Sequence, residues 1–492
     1  MLRAFALGLI AGAVYFTGTL YWITRVMMMY GGLQLWVAVL VNAALIAYLA
    51  LYPAVFALVM RRLLAANGRT AMLAAPFVWT ATELGRTHLF TGFPWVLLGY
   101  SQVTVLPIAQ LASLVGVFGV SALVASASAA LAFAALSATA TAAPGSSRTF
   151  SVPRPYVPFT AVVAMIVAIA AWGSLRLKRS ELTRQGDVVR VGLIQGNVEQ
   201  SEREDPARQP AIFQSYLRMT RQAIGEGAEL VLWPESSTPF YFEEDRPGAD
   251  QVRTLARQAH VPILLGSDQI GWETKNGQRV PAKYYNSAFL VRADGTTAGY
   301  YRKMHLVPFG EYVPLKRLFF FAAPLVQAVS DFSPGDSAAL LEVRLKADAA
   351  GDGTTASGER THLMSTAICY EIVYPDLVRQ FVVAGSELLS TITNDAWFGK
   401  TSAPYQHFAQ ASMRAIEEGR YLVRSANTGI SGVVDPYGRV LVETSLYEPA
   451  VVVAEARFLT AATVYSRVGD VFAYASVVLT IAWLVVARRR VQ

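Results

Sequence analysis

Thr361-His-Leu-Met-Ser-Thr-Ala-Ile-Cys369-Tyr-Glu371 carries six residues, Leu363–Ile368, that read as a buried strand ending at the only cysteine of the chain. Tyr374–Val383 follows with helical spacing, and Leu388–Thr393 reads as the next strand. The alternation continues outward. Upstream, Val188–Gln195 is a β-branched strand and Pro206–Ile224 a helix, and Leu230–Trp233 is a short buried strand. A helix near 248–259 comes next, then strands at Ile263–Gly266, 285–293 and 297–302. Downstream, Gln406–Leu422 is helical, and 431–435 with 439–444 form a hairpin around Pro436-Tyr-Gly438. Strands alternating with helices predict an α/β domain. Ala347–Glu359 reads as a surface insertion, and Ala138–Ser151 as a low-complexity loop.

That domain is not the whole chain. Of 492 residues, 53% are apolar and 16% charged, against about 25% charged in soluble proteins. The first part is mostly long apolar runs. Candidate membrane spans fall near 4–23, 34–59, 71–90, 112–137, 157–175 and 468–487. The first run lacks a small-residue cleavage site and reads as a retained span rather than a signal peptide. The run 104–137 is too long for one helix, and Thr104–Gln110 reads as interfacial. Arg61, Arg62, Arg69, Arg148, Arg154 and Arg488–Arg490 share one side if five spans precede the domain and one follows. The positive-inside rule makes that side cytoplasmic and puts the α/β domain on the exported side. The net charge of +7 therefore reads as membrane topology, with no nucleic-acid partner.

Three segments sit just beyond strand ends: Trp233-Pro-Glu235, Arg302-Lys303-Met-His-Leu-Val-Pro-Phe-Gly-Glu311, and Cys369-Tyr370-Glu371. Singly, each has an ordinary explanation: a solvated cap, a surface lysine, a buried small hydrophobe. Together they meet a chemical requirement. A thiol needs a base, which Glu235 supplies, and a carbonyl under attack needs a cation, which Lys303 supplies. A helix opening just after Cys369 is expected to lower its pKa. One cysteine without a histidine cluster makes a poor metal site, so neither metal nor cofactor is expected.

These motifs resemble the nitrilase superfamily, with Asn394-Asp-Ala-Trp397-Phe398-Gly399, Arg414-Ala-Ile-Glu-Glu-Gly-Arg420 and Asn427-Thr-Gly extending the likeness. With flanking spans, Gly92-Phe-Pro-Trp95 and Gly99-Tyr-Ser-Gln102, the whole chain resembles the apolipoprotein N-acyltransferase family. The resemblance implies a nitrilase-like α-β-β-α sandwich inserted between transmembrane helices. Its parts are a membrane domain over 1–176 with about five spans, a catalytic domain over 188–457, and a C-terminal span over 467–488. It implies Glu235 as general base, Lys303 as oxyanion and positioning residue, and Cys369 as nucleophile. Glu311, Tyr370 and Glu371 are implied as supporting residues, and Trp397 and Phe398 as bordering the acyl entrance. It also implies a phospholipid acyl donor, a diacylated lipoprotein acceptor, and the bacterial inner membrane with the catalytic domain facing the periplasm. Relatives are expected to carry further spans ahead of those counted here.

Two other readings remain open. A membrane-tethered amidase or nitrilase would employ Glu235, Lys303 and Cys369 on a small C–N bond. A transporter or sensor would rely on intramembrane charges such as Glu83 and Arg86.

Overall fold

A computed structural model describes residues 1–141, 156–312, 332–346 and 358–491. Most of the Ala347–Glu359 insertion and of the 138–151 loop lies outside them, as do Val313 and Pro314. The chain divides into two units: Met1–Thr24 with Gln34–Ser180 and Thr463–Gln492, and Arg25–Leu33 with Glu181–Ala462.

The first unit is helical, with long helices at Leu2–Leu20, Leu35–Asn67, Ala112–Thr141, Tyr156–Arg179 and Val471–Val491, and a shorter one at Ala75–His88. Among the described residues, five helical segments are long and apolar enough to cross a membrane. The second of these, Leu35–Thr91, is not one rod. Its first helix stops at Gly68, where φ is 58°, and a 3₁₀ stretch leads into Ala75–His88. The expected interfacial piece is a single turn, Leu106–Ala109, which at about 1.5 Å per residue cannot span a bilayer.

The first helix packs closely against the second. A Cβ on Gly8 would lie 2.5 Å from the Pro53 carbonyl, and one on Gly12 would lie 2.8 Å from the Ala50 Cα. This small-xxx-small spacing lets two backbones approach in lipid. Glu83 and Arg86 are both buried and serve the loop that follows them. Glu83 Oε1 accepts the Leu98 N–H at 2.7 Å, while Arg86 donates to the carbonyls of Phe93 (3.1 Å) and Trp95 (2.7 Å). Backbone that leaves the helix at His88 is thereby satisfied by charged side chains, a structural task that needs no transported ligand.

The second unit holds two six-stranded sheets among the described residues. Its strands are β1 (Asp187–Gln195), β2 (Leu230–Leu232), β3 (Ile263–Lys275), β4 (Gln278–Val291), β5 (Thr297–Arg302), β6 (Leu341–Lys346), β7 (Glu359–Ile368), β8 (Leu388–Thr393), β9 (Leu422–Ala426), β10 (Gly432–Val434), β11 (Val440–Glu443) and β12 (Ala450–Phe458). The orders are β12-β1-β2-β3-β4-β5 and β11-β10-β9-β8-β7-β6, with β1-β2-β3 and β7-β8-β9 parallel. The sheets meet face to face: the Ser425 hydroxyl on β9 donates to the carbonyls of Ile194 on β1 and Leu232 on β2. Helices Gln209–Gly225 and Arg246–Ala259 cover the first sheet through Phe213, Leu217, Val252 and Leu255. Helices Pro375–Val383 and Ala403–Glu418 accompany the second. This is the α-β-β-α sandwich. Parallel strands covered on both sides read as continuous apolar runs, and every residue of β8 is buried.

Three expectations need correction. The helix placed at Gln406–Leu422 runs from Ala403 to Glu418, closes on Gly419 in a left-handed cap, and gives way to β9 at Leu422. Strands β6, β9 and β12 were not anticipated, and β12 pairs antiparallel along the whole of β1. The helix expected over Tyr374–Val383 is present as Pro375–Val383, but the 3₁₀ turn Cys369–Val373 separates it from Cys369, so the expected helix N-terminus beside the thiol is missing.

Candidate active site

The carboxyl ends of the parallel strands converge on one buried cluster, the position at which open α/β sheets bind ligands. Glu235 follows β2 after Pro234, which cannot extend the ladder. Lys303 follows β5, Cys369 follows β7 and Asn394 follows β8. Glu235, Lys303 and Cys369 are 7%, 1% and 8% exposed, so bulk water is largely excluded.

Glu235 and Glu311 grip the lysine. Lys303 Nζ lies 2.8 Å from Glu311 Oε1 and 3.5 Å from Glu235 Oε1. Asn286 on β4 bridges the same two oxygens, donating at 2.7 Å to Glu235 and 3.1 Å to Glu311. The second oxygen of Glu235 accepts the Asn394 N–H at 2.8 Å, and that of Glu311 accepts the Val307 N–H at 2.8 Å. Burial would push the Lys303 ammonium down, but Glu311 and Glu235, with Cys369, outweigh it and raise its pKa. The lysine is therefore a fixed cation.

Cys369 sits at φ 52°, a left-handed backbone that costs about 1–3 kcal/mol for a non-glycine residue. Contrary to the expectation from sequence, its thiol pKa is raised. Burial is the main cause and the Glu235 charge the next, and together they outweigh Lys303. The turn after Cys369 is too short to offer a helix dipole against these effects.

Glu371 is wholly buried and ties the Cys369 turn to the lysine loop. It accepts from the Ile368 N–H and the Tyr301 hydroxyl at 2.7 Å each, and from the N–H groups of Met304 (2.7 Å) and His305 (3.1 Å). Burial lifts its pKa to about 7 against these bonds. Tyr370 is buried too, its hydroxyl 3.1 Å from that of Tyr374. Trp397 and Phe398 lie on the 3₁₀ turn Asp395–Phe398 and are half-buried. Tyr30 packs edge-on against Trp397 with centroids 4.6 Å apart, and its hydroxyl donates to the Ala396 carbonyl at 2.8 Å.

The family comparison is consistent across the chain. A carbon-nitrogen hydrolase model matches residues 190–464, and an apolipoprotein N-acyltransferase N-terminal domain model matches residues 1–130. An apolipoprotein N-acyltransferase of Geobacter metallireducens is 39% identical over 96% of this chain and 85% of its own length. The chain belongs to the apolipoprotein N-acyltransferase family. A second relative of that name, from Shewanella oneidensis, is 32% identical over 91% of this chain and 80% of its own length. Among solved structures, an amidase from Nesterenkonia sp. is similar at 20% identity and TM-score 0.39, over 56% of this chain and 93% of that one.

The structure brings Glu235, Lys303, Cys369, Glu311 and Glu371 into one buried network in this apolipoprotein N-acyltransferase family member. It also recruits residues that sequence reading left without a role. Asn286 is the clearest: a buried amide at the end of an apolar strand run was the available signal. Asn394 and Asp395 were noticed only as motif letters. Tyr30, from the Arg25–Leu33 segment of the second unit, carried no signal at all. Among the described residues, no group of three or more His, Cys, Asp or Glu is placed to hold a metal.

Proposed function

We propose that this chain transfers a fatty acyl chain from the sn-1 ester of a phospholipid, through a Cys369 thioester, to the N-terminal amine of a diacylglyceryl-cysteine lipoprotein. The carrying observation is a buried Glu235–Lys303–Cys369 cluster in a chain of this family with helices apolar enough to cross a membrane.

At rest the thiol keeps its proton. Three donors occupy Glu235, leaving about one of a carboxylate's four acceptor sites, on Oε2, for that proton. Transfer from sulfur to Glu235 removes the carboxylate charge that, after burial, most raised the thiol pKa, and Lys303 then stabilises the thiolate. The thiolate attacks the ester carbonyl carbon, and Lys303 stabilises the developing oxyanion. The ester C–O bond breaks, Glu235 returns the proton to the departing alkoxide, and a lysophospholipid leaves. In the second half-reaction the lipoprotein amine attacks the thioester and Glu235 accepts its proton. The C–S bond breaks, an amide forms, and the thiol is restored. Exclusion of water protects the thioester from hydrolysis. Trp397 and Phe398 border the acyl entrance, and Glu311, Tyr370 and Glu371 support the cluster. Arginine placement supports an inner-membrane location with the catalytic unit facing the periplasm.

The test supplies phosphatidylethanolamine labelled in its sn-1 chain together with a diacylglyceryl-cysteine peptide. Label should appear in a base-stable amide. Turnover of small amides without lipid, and no label transfer, would favour the tethered amidase.

A further inference from the structure

Behind the nucleophile lies a buried group of charged side chains to which the reaction assigns no task. His407, Asp395 and Arg424 are fully or almost fully buried. His407 Nε2 lies 3.1 Å from the carbonyl oxygen of Cys369. Its Nδ1 lies 3.0 Å from Asp395 Oδ1 and 3.0 Å from Arg424 Nη2. Arg424 Nη2 also donates to Asp395 Oδ2 at 2.8 Å, and Thr393 Oγ1 donates to Asp395 Oδ1 at 2.8 Å. Phe398 stands perpendicular to the imidazole, with centroids 5.9 Å apart.

A carbonyl only accepts, so the contact at Nε2 requires a proton there. The guanidinium beside Nδ1 opposes a second proton, and burial, followed by Arg424, lowers the ring's pKa. The imidazole is thus neutral, donates from Nε2 to Cys369, and accepts from Arg424 at Nδ1. We propose that His407 is a positioning residue: its Nε2–H grips the Cys369 carbonyl and holds the left-handed turn that aims the thiol, with Arg424, itself paired with Asp395, fixing its tautomer and orientation. A strained backbone persists only where its surroundings over-determine it. Asp395 also opens the turn that carries Trp397 and Phe398. The same network therefore keeps the nucleophile in register with that turn, which is the acyl entrance on the reading proposed above.

Cys369 is the only cysteine, so its alkylation by iodoacetamide can be followed by intact mass without any lipid substrate. A failure of the acyl-transfer reading would leave that measurement standing. His407→Ala should slow alkylation and first-turnover acylation by about 10- to 100-fold, with KM for phospholipid unchanged. His407→Gln keeps one N–H within reach of the carbonyl and should recover most of both rates. Equal rates in the two variants, wild-type rates in His407→Ala, or a change confined to KM would overturn the proposal. Should His407→Ala not fold, the wild-type protein still decides. In ¹⁵N-histidine spectra the resonance lost in His407→Gln must report the Nε2–H tautomer from pH 6 to 8. The Nδ1–H tautomer or an imidazolium would contradict it.

Discussion

Glu235 and Glu371 are both buried carboxylates in the Cys369 cluster, yet their partners give them different work. Glu235 acts electrostatically on the thiol and keeps acceptor capacity, so Glu235→Gln should lower first-turnover acylation by about 100- to 10,000-fold, with some loss of melting temperature because the buried Lys303 ammonium loses a charge partner. Glu371 is occupied by three N–H groups and a hydroxyl. Glu371→Ala strands these buried donors at about 1–3 kcal/mol each, so it should show first as lost thermal stability in detergent. Asp395 adds a pH signature. Burial pushes its carboxyl up, but the Arg424 guanidinium outweighs that and holds it well below the usual range. Its stabilisation is complete above the unfolded-state value of about 4 and is lost as pH falls toward the lower folded-state value. The stability lead of wild type over Asp395→Asn should therefore shrink in unfolding measurements taken from pH 6 down to pH 3. A constant lead would show that the carboxylate charge is not what stabilises.

Strand ends aim these groups, and β3 shows how tightly. A Cβ on Gly266 would lie 2.5 Å from the Pro234 carbonyl and 2.7 Å from the Glu235 Cα. Gly266→Ala must push the Glu235-bearing loop aside at about 1–3 kcal/mol, with acylation falling much further than stability, a comparison that paired activity and melting assays provide. At this scale much was legible in sequence. β7, β8 and the flanking helices announce themselves as apolar runs and helical periods, and Glu235, Lys303 and Cys369 stand where those runs stop. The bridging role of Asn286 was not legible, because it depends on a carboxylate 51 residues away that only sheet pairing brings near. The strain at Cys369 was invisible too, since nothing in Ile-Cys-Tyr demands positive φ. β6 alternates buried and less buried residues, Leu341-Glu-Val-Arg-Leu-Lys346, a period-two signal present in the sequence but passed over beside the insertion that follows.

The whole molecule carries both a buried thiol site and helices long and apolar enough to cross a lipid bilayer. Its topology is testable at the β3–β4 turn. In a Cys369→Ala background, Asn276→Cys lies on the exposed Lys275–Gln278 turn and should react with a membrane-impermeant maleimide in intact spheroplasts. Labelling only after lysis would place the catalytic unit on the cytoplasmic side. The central claim is that Cys369 carries the acyl chain, and the most direct measurement is intact mass of the purified protein after incubation with phosphatidylethanolamine, beside Cys369→Ala. The account predicts a hydroxylamine-labile gain of one acyl chain in the wild type and none in the variant. An adduct that survives in Cys369→Ala, or unchanged protein with unchanged phospholipid, would contradict it.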